Sequence, residues 1–424
     1  MIVLLLGNGG REHALAWKLL QSPLLTSLHI APGNAGTKDL GINVPLDLTD
    51  FNAIASYSLA QKVDMILVGP EQPLVDGIWD HFTSHDELKH IKVIGPSAQA
   101  AQLEGSKDFA KQFMARQGIP TASYRSFLQV ELEEAKQYIA AHSLPIVLKA
   151  DGLAAGKGVV ICQSHSEALE TIETMLSGQF GEASKTVVVE EFLDGVEFSV
   201  FALTDGKHAK ILPTAKDYKR IGEGDTGPNT GGMGSVSPVN FLTGDIWTKV
   251  RNSIIDPTIK GLQEEQMPYH GFVFFGLILV SGEPYVIEYN CRMGDPETQS
   301  VMLRLESDLL ELLSAIGTDT YKDLDVRIDE RAVATVVLVS KGYPASYPKG
   351  LAITDIVADS PDRIVFHAGT SLVEGQLCTS GGRVLAASSY GDTLEQALSS
   401  SYAAAQAIQY EGKNYRKDIG QDIL

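Results

Sequence analysis

Short, wholly apolar runs alternate with amphipathic stretches along most of the chain. VLLLG at residues 3–7 is followed by the turn residues NGG, and Glu12 to Leu20 places Leu15, Leu19 and Leu20 on one helical face. An apolar strand, a glycine turn and an amphipathic helix open a βαβ unit. Further strand-like runs at 28–31, 65–68 and 93–95, separated by helical stretches, predict an α/β fold whose N-terminal sheet is doubly wound, parallel and covered on both faces. This Rossmann-like substrate domain is expected to span residues 1–105.

From Ser106 to Gln117 a helix carries Phe109, Phe113 and Met114 on its apolar side and Lys107 and Lys111 on the other, and Gly118-Ile119-Pro120 stops it. The pattern then predicts a helix over 166–176, strands over 186–190, 197–202, 272–280 and 284–289, and one helix over 301–315. A last block begins at Arg331, with strands over 332–340 and 383–387 and a helix capped by Asp392 or Thr393. These elements divide the remainder into a central α+β domain, 106–330, and a small C-terminal α+β domain, 331–424.

Composition narrows the function. A net charge of −19 argues against a nucleic-acid binder and predicts repulsion from anionic membranes, so anionic substrates need locally basic pockets. Cys162, Cys291 and Cys378 are too scattered for a metal motif or a disulfide framework, which fits a reducing cytoplasm. The N-terminal apolar run is too short to span a bilayer and lacks a basic segment before it, so it reads as a strand and not a signal.

Candidate chemistry clusters in the middle block. Residues 147–160, VLKADGLAAGKGVV, hold Lys149 and Lys157 around a loop with Gly152, Gly156 and Gly158. Backbone N–H groups left bare by glycine, together with ammonium charges, are what a polyphosphate needs. A Walker A loop is excluded, because three residues rather than four separate Gly152 from Gly156 and Gly158 follows Lys157. In VVVEEFLDGVEFSV, 187–200, an apolar strand ends in Glu190 and Glu191, and Glu197 follows Gly195. The backbone of Glu191, Phe192 and Leu193 could pair with an adenine edge while Glu197 takes ribose hydroxyls; a solvated acidic strand end would read the same way.

In IEYNCRMGDPETQ, 287–299, Glu288 and Asn290 alternate with apolar neighbours and face one side of a strand. One charged and one neutral oxygen suit magnesium, which keeps several waters. Arg292 could hold a carboxylate or phosphate in two-pronged fashion, Asp295-Pro296-Glu297 reads as a helix cap, and a strand-end salt-bridge cluster is the structural alternative. AKDYKRIGEGDTGPNTGGMG, 215–234, is polar, rich in glycine and aperiodic, and so long a loop in a compact domain is usually functional. Lys216, Asp217, Lys219 and Arg220 are its candidates for substrate capture, and Gly231, Gly232 and Gly234 for close backbone approach.

The glycine loop with its lysines, the EEFLDG segment and Glu288-x-Asn290-x-Arg292 resemble, in that order, the ATP-grasp superfamily. Within it, GNGGREHALAWK (7–18), APGNAGT (31–37), VGPEQPLVDGI (68–78), LKADGLAAGKGV (148–159), GPNTGGMG (227–234), EYNCRMGDPETQ (288–299), FHAGT (366–370) and YRKDIG (415–420) resemble the glycinamide ribonucleotide synthetase family. The resemblance implies a two-lobed ATP-grasp domain with a lid subdomain at about 121–193. It implies an ATP-dependent carbon–nitrogen ligase of de novo purine biosynthesis, using magnesium or manganese. Such an enzyme joins glycine to 5-phosphoribosylamine through a glycyl phosphate, giving glycinamide ribonucleotide, ADP and phosphate.

By position, the resemblance implies that Lys107, Lys149 and the 152–158 loop, with Gly156, Lys157 and Gly158, meet the nucleotide phosphates. Glu190 to Leu193 become the adenine hinge, Glu197 the ribose ligand, and Glu288 and Asn290 the metal pair. Arg292 and Asp217, with Lys219 beside them, become glycine contacts, so that Arg292, Lys149 and Asp217 carry the catalytic roles. Gly9-Gly10-Arg11, Pro32-Gly33-Asn34 and Gly69-Pro70-Glu71 border the phosphoribosylamine site, with phosphate at a helix N-terminus. The chain departs from the pattern at Gly276, where many ATP-grasp enzymes have a further acidic ligand, and at Tyr218 and Met293, where relatives often have histidine and phenylalanine.

A nicotinamide-binding reading of the first turn fails because G-x-G-x-x-G needs glycine where Glu12 stands. Another ATP-grasp ligase or carboxylase shares the central block but not its flanks. His13 reads as packing behind the first turn and not as a general base. A monomer, or at most a weak dimer, is expected, and Glu288→Ala and Arg292→Ala are expected to fold normally and lose activity.

Overall fold

The computed structural model describes residues 1–153, 158–179, 181 and 185–424. Ile2–Gly7, Ser27–Pro32, Ile42–Asn43, Met65–Val68 and Lys92–Pro96 form the parallel sheet that the apolar runs predict. The strand made first lies in the middle, with the second and third on one side and the fourth and fifth on the other. Chain direction across the sheet therefore reverses beside Ile2–Gly7, and a crevice opens at the carboxyl ends of the strands. The turns after Gly7, Pro32 and Val68 all sit at that edge.

The parallel sheet continues past residue 105. Tyr269 and His270 of the long strand Tyr269–Val280 pair antiparallel with Pro96 and Gly95. Val196–Thr204, Ala209–Ile211 and Glu283–Asn290 extend the array to nine strands. The N-terminal and central portions thus share one sheet, and a buried core including Phe113, Phe198, Phe275 and Tyr289 runs beneath both.

A separate antiparallel sheet of four strands is built from Tyr124–Leu128, Thr186–Glu191, Ile146–Ala150 and Val159–Cys162, in that spatial order. The helices Leu132–Ala141 and His165–Leu176 cover it, and Phe127, Ile139, Leu148, Ile172 and Val189 give it its own core. A five-stranded sheet of Arg363–His367, Arg383–Gly391 and Ala332–Val339 is completed by Gly234–Ser237 and Lys216–Asp217. Helix Leu394–Ala407 packs on it, capped by Thr393 Oγ1, which accepts the Gln396 N–H.

Two expectations are corrected. The segment 215–234 is not a structureless loop: it supplies the edge strand Lys216–Asp217, leads into the strand Gly234–Ser237 beside it, and forms a hairpin of Arg220–Gly222 with Thr226–Asn229. Its low apolar content hid strands that pair at a sheet edge instead of filling a core. The helix expected over 301–315 is two, Glu297–Arg304 and Leu309–Ala315. Asp308 breaks the run because its carboxylate accepts the Leu310 and Glu311 N–H groups at 2.9 and 3.2 Å and starts a new helix. No described helix is long and apolar enough to cross a membrane.

Candidate functional site

A cavity of about 790 Å³ lies between the four-stranded and nine-stranded sheets, lined among the described residues by nine Lys and Arg and ten Asp and Glu side chains. In a chain of net charge −19, this near balance is the local supply of cations that anionic substrates require. At one end Lys149 and Lys111 place their ammonium groups 2.9 and 3.1 Å from the same Glu190 oxygen. The other Glu190 oxygen is buried without a partner among the described residues. Lys107 begins the helix Lys107–Gln117, whose first turn is held by Ser106 Oγ and by Asp151, accepting the Phe109 and Asp108 N–H groups at 3.0 and 2.7 Å. Its ammonium donates to the Gly152 carbonyl at 3.1 Å, at the start of the glycine loop.

Lys111 lies on the polar side of its helix, yet that side is buried. It is 2 % exposed and donates to Thr121 Oγ1 at 2.8 Å and to the Ala122 carbonyl at 3.3 Å, because that face packs toward the small sheet. Burial, opposed by Glu190, holds its pKa down to about 8; burial lowers Lys107 as well. Residues 191–195 join the small sheet to the large one, so the segment expected to take adenine is also the joint between lobes. Glu191 is tied to Ser123 by two hydrogen bonds of 2.8 and 3.0 Å, while Phe192 lines the cavity and Leu193 does not. Gly158 lines it too; Gly156 and Lys157 lie outside the described residues.

Glu288 and Asn290 reach the cavity through a β-bulge. Glu288 pairs across the sheet with Gly276 and Val286 with Leu277, leaving Ile287 unmatched. Pro284 and Val286 are buried before the bulge and Tyr289 after it, so the extra residue turns Glu288 and Asn290 out of the core and into the cavity. The Ile287 carbonyl faces Lys149 Nζ at 3.5 Å. At Gly276 a Cβ would stand 3.0 Å from Glu288 Cγ and 3.2 Å from the Phe274 ring, so a side chain there would have to displace Glu288 or the ring by a few tenths of an ångström.

Arg292 is the hub of the opposite end. Its Nη2 lies 2.8 Å from Glu104, its Nε 3.4 Å from Glu71, and its Nη1 donates to the Met293 carbonyl at 3.2 Å. Arg11 donates to that same carbonyl at 3.3 Å and pairs with Glu12 at 2.6 Å. Burial disfavours the Arg292 charge, but Glu104 and Glu71 outweigh it; burial raises Glu104, whereas for Glu71 the two arginines overcome burial and hold its pKa low.

The three N-terminal turns line the cavity only through Arg11 and Glu71; Gly9, Gly10, Pro32, Gly33, Asn34, Gly69 and Pro70 stand behind them. Asn34 uses its amide within the protein, donating to the Asn8 and His367 carbonyls, each at 2.9 Å, and accepting the Gly36 and Thr37 N–H groups. Glu12 accepts the Gly9 N–H at 2.6 Å, filling one donor of the turn expected to hold phosphate. His13 packs as expected: its Nδ1 accepts the His367 N–H at 2.8 Å.

Asp217 and Lys219 come from the edge strand and its turn. Lys219 pairs with Glu197 at 2.7 Å and lies 3.7 Å from Asp217, and its charge holds Glu197 below the usual carboxylate range. Burial raises Asp217. The close approach at the loop glycines is to protein. A Cβ at Gly231 would meet Arg383 at 2.9 Å and one at Gly234 the Thr335 carbonyl at 2.6 Å, while one at Gly232 would collide with Pro296. Arg383 also lines the cavity, pairing with Asp295 at 3.0 Å.

Lys111, Glu104, Glu297 and Arg383 are cavity residues that the sequence reading did not assign to the site. Glu104 carried a signal, a lone carboxylate among Ala100, Ala101 and Leu103 on the buried stripe of its helix. Arg383 carried none, since a distant sheet brings it in.

Comparison with known proteins extends the likeness over the chain. Models of the phosphoribosylglycinamide synthetase N, ATP-grasp (A) and C domains match residues 1–104, 105–298 and 333–422. A phosphoribosylamine–glycine ligase of Agrobacterium fabrum is 47% identical over 424 residues, covering 100% of this chain and 99% of that protein. The crystal structure of the Thermotoga maritima phosphoribosylamine–glycine ligase superposes with a TM-score of 0.85 at 36% identity, over 99% of this chain and 100% of that one. A Hydrogenobacter thermophilus biotin carboxylase domain, solved with MgADP and bicarbonate, shares the fold at TM-score 0.74 and 18% identity, over 97% of this chain and 91% of that one. With all three of its domain models matched in order and a relative aligned end to end, the chain belongs to the phosphoribosylglycinamide synthetase family.

Proposed function

We infer that the chain ligates glycine to 5-phosphoribosylamine at the expense of ATP, forming glycinamide ribonucleotide, ADP and phosphate. The observation that carries this reading is the junction at Arg292, where Glu71 of the N-terminal crevice and Glu104 meet the segment that follows the Glu288–Asn290 strand. The lysine end and the crevice end thereby open into one cavity. A carboxylate is a poor electrophile, so glycine first takes the γ-phosphoryl group; the amine then attacks the acyl carbon and phosphate leaves. Both steps need positioning and charge neutralisation more than covalent catalysis.

Lys107, Lys149 and the 152–158 loop are assigned to the nucleotide phosphates, Glu190 to Leu193 to adenine, and Glu197 to ribose. Arg292 and Asp217 are assigned to glycine, with Lys219 fixing Asp217. The three N-terminal turns, through Arg11 and Glu71, shape the phosphoribosylamine end.

Glu288 and Asn290 would hold magnesium or manganese. Glu288 has no ion pair or side-chain hydrogen bond among the described residues, and Asn290 uses only its Nδ2, toward the Tyr289 carbonyl at 2.7 Å, so both oxygens remain for an ion. No described group of three His, Cys, Asp or Glu forms a cage, which fits an ion completed by phosphates and water. A bound divalent ion would neutralise phosphate charge during transfer.

We retain the division at 105 and 330, with a lid at 121–193 built on the four-stranded sheet. The three cysteines are unpaired and buried, which supports a reducing cytoplasm.

The test is ADP release from purified protein with ATP, magnesium and glycine, generating phosphoribosylamine in place from ribose 5-phosphate and ammonia. Turnover only with glycine and the amine together, with glycinamide ribonucleotide found by mass, is expected. Turnover with another carboxylate but not glycine would overturn the substrate assignment and leave the ligase chemistry standing.

A further inference from the structure

Lys216 lines the cavity from the edge strand Lys216–Asp217 and is only 7 % exposed. Its ammonium donates no hydrogen bond among the described residues, and its ion pair there, with Asp422, is a loose one at 3.4 Å. Every other lysine that lines the cavity is engaged more closely: Lys149 and Lys111 at Glu190, Lys107 at the Gly152 carbonyl and Lys219 at Glu197. A buried ammonium with its donors unspent is costly unless something that binds uses them.

The residue that holds Lys216 comes from the other end of the chain. Asp422 accepts the Tyr218 hydroxyl at 2.6 Å through one oxygen and faces Lys216 with the other, while the Lys216 ammonium stands 5.1 Å from the centre of the Tyr218 ring. Tyr218 is buried, so that ring is a fixed floor. The segment that carries Asp422 is pinned on both sides of it: Arg416 pairs with Asp225 at 2.6 Å, and Asn240 donates to the Ile423 carbonyl at 2.6 Å. Lys216 is thus aimed without being saturated.

Glu197 is the acid it is aimed beside. Ser199 and Ala215 exchange both backbone hydrogen bonds, at 2.7 and 3.0 Å, which lays the strand of Lys216 against that of Glu197. Lys219 first, and Lys216 after it, hold Glu197 below the usual carboxylate range against the effect of burial. Lys219 is already committed between Glu197 and Asp217, so Lys216 is the cation with donors to give. A carboxylate only accepts hydrogen bonds and an ammonium only donates them, whereas a hydroxyl does both. A carboxylate with an unspent ammonium beside it is therefore the complement of a sugar diol. Resting on the assignment of this cavity to ATP, we propose that Lys216 donates to the ribose hydroxyls whose protons Glu197 accepts, so that the two select a ribonucleotide over one without those hydroxyls, and that Asp422 is the positioning residue for Lys216.

The experiment is calorimetric titration of ADP, and separately of 2′,3′-dideoxy-ADP, into the full-length protein with magnesium at pH 7. The wild type should bind ADP about tenfold or more tightly than the dideoxy nucleotide, the scale of one charged hydrogen bond, and equal affinity for the two overturns the proposal without any variant. In Lys216→Met, which keeps the stem and removes the ammonium, ADP should weaken by about tenfold while dideoxy-ADP moves far less. A loss shared equally by both nucleotides would put the lysine on phosphate or in the fold and overturns the ribose contact. Lys216→Gln, which keeps a donor, should retain part of the preference and serves the same test if the methionine variant does not fold. Asp422→Asn keeps an acceptor for Tyr218 but loosens Lys216, so the preference should fall part of the way, and Asp422→Glu should restore some of it. A wild-type preference in Asp422→Asn overturns the positioning role. No binding of ADP by the wild type overturns the underlying nucleotide reading instead.

Discussion

At the junction of the lobes Lys111 and Lys149 share one oxygen of Glu190, with Lys107 close by, and burial presses two of these ammonium groups toward neutrality. Beside this cluster the balance is reversed: Glu288, whose charge acts on Lys107, has no ion pair, and Glu297 has only a hydroxyl as side-chain partner, among the described residues. Cations in surplus and acids in surplus thus lie next to each other within a single cavity. Each surplus is unfavourable in the free protein and fits a ligand of the opposite sign, phosphates at the first and a divalent ion at the second. Arg292, at the end away from the lysines, is unlike either group already paired on two sides.

That contrast makes Arg292 the place to break the comparison first. Arg292→Ala would leave the carboxylate of Glu104 buried without its cation, and removing one partner of a buried pair costs about 3–5 kcal/mol. We expect a lower denaturant midpoint as well as lost turnover, with Glu104→Gln in the same chain restoring part of the stability. This revises the expectation of normal folding drawn from sequence. A wild-type midpoint would mean that the ion pairs contribute nothing and that Arg292 serves substrate alone.

Glu288→Ala should do the opposite. No protein partner is lost, so the unfolding midpoint should stay near wild type while turnover falls by about 10²–10³-fold, the usual scale for removing one preorganised electrostatic group. High magnesium should recover part of it. A large fall in midpoint would show that the acid wall is a structural cluster. Gly276→Asp sharpens the same point at smaller cost: its Cβ would press on Glu288 Cγ and the Phe274 ring, so about 1–3 kcal/mol of stability should be lost. Tighter metal binding by that variant would contradict a cavity too crowded for a further acid.

How far the sequence could be read follows from the same physics. The five parallel strands, the helix after Ser106 and the long strands either side of residue 282 were visible because burial enforces an apolar period. Glu288 and Asn290 were found by alternation, yet the bulge at Ile287 that aims them was missed. Its trace is the adjacent apolar pair Val286-Ile287, a slip in the period of two. The short strands of 216–237 were missed because hydrogen bonding to neighbouring strands, not apolar content, makes them strands. That the polar side carrying Lys111 is buried was not legible, because pattern alone does not show that a paired ammonium can occupy a buried helix position. Asn34 was found, but its side chain holds the Asn8 and His367 loops together, a long-range duty that spacing does not reveal.

The contact between those loops gives the smallest and most graded effect. His13 and His367 lie side by side where the first helix meets the C-terminal sheet, with ring centroids 5.5 Å apart. Burial, and for His13 the neighbouring His367, hold their pKa values down to about 3 and about 4. In the unfolded chain both rings take up protons as pH falls through about 6.5, whereas in the folded protein they stay neutral. The unfolded state therefore binds more protons between about pH 6.5 and 4, and stability must fall as pH falls through that window. The slope is at most about 1.4 kcal/mol per pH unit for each ring. We expect the denaturant midpoint to drop between pH 6.5 and 4.5, and the drop to be shallower in His13→Gln, which keeps an acceptor for the His367 N–H but cannot be protonated there. An equally steep drop in that variant would move the acid sensitivity away from this interface and onto the carboxylates held low, Glu71 and Glu197, which the cavity comparison would then have to explain.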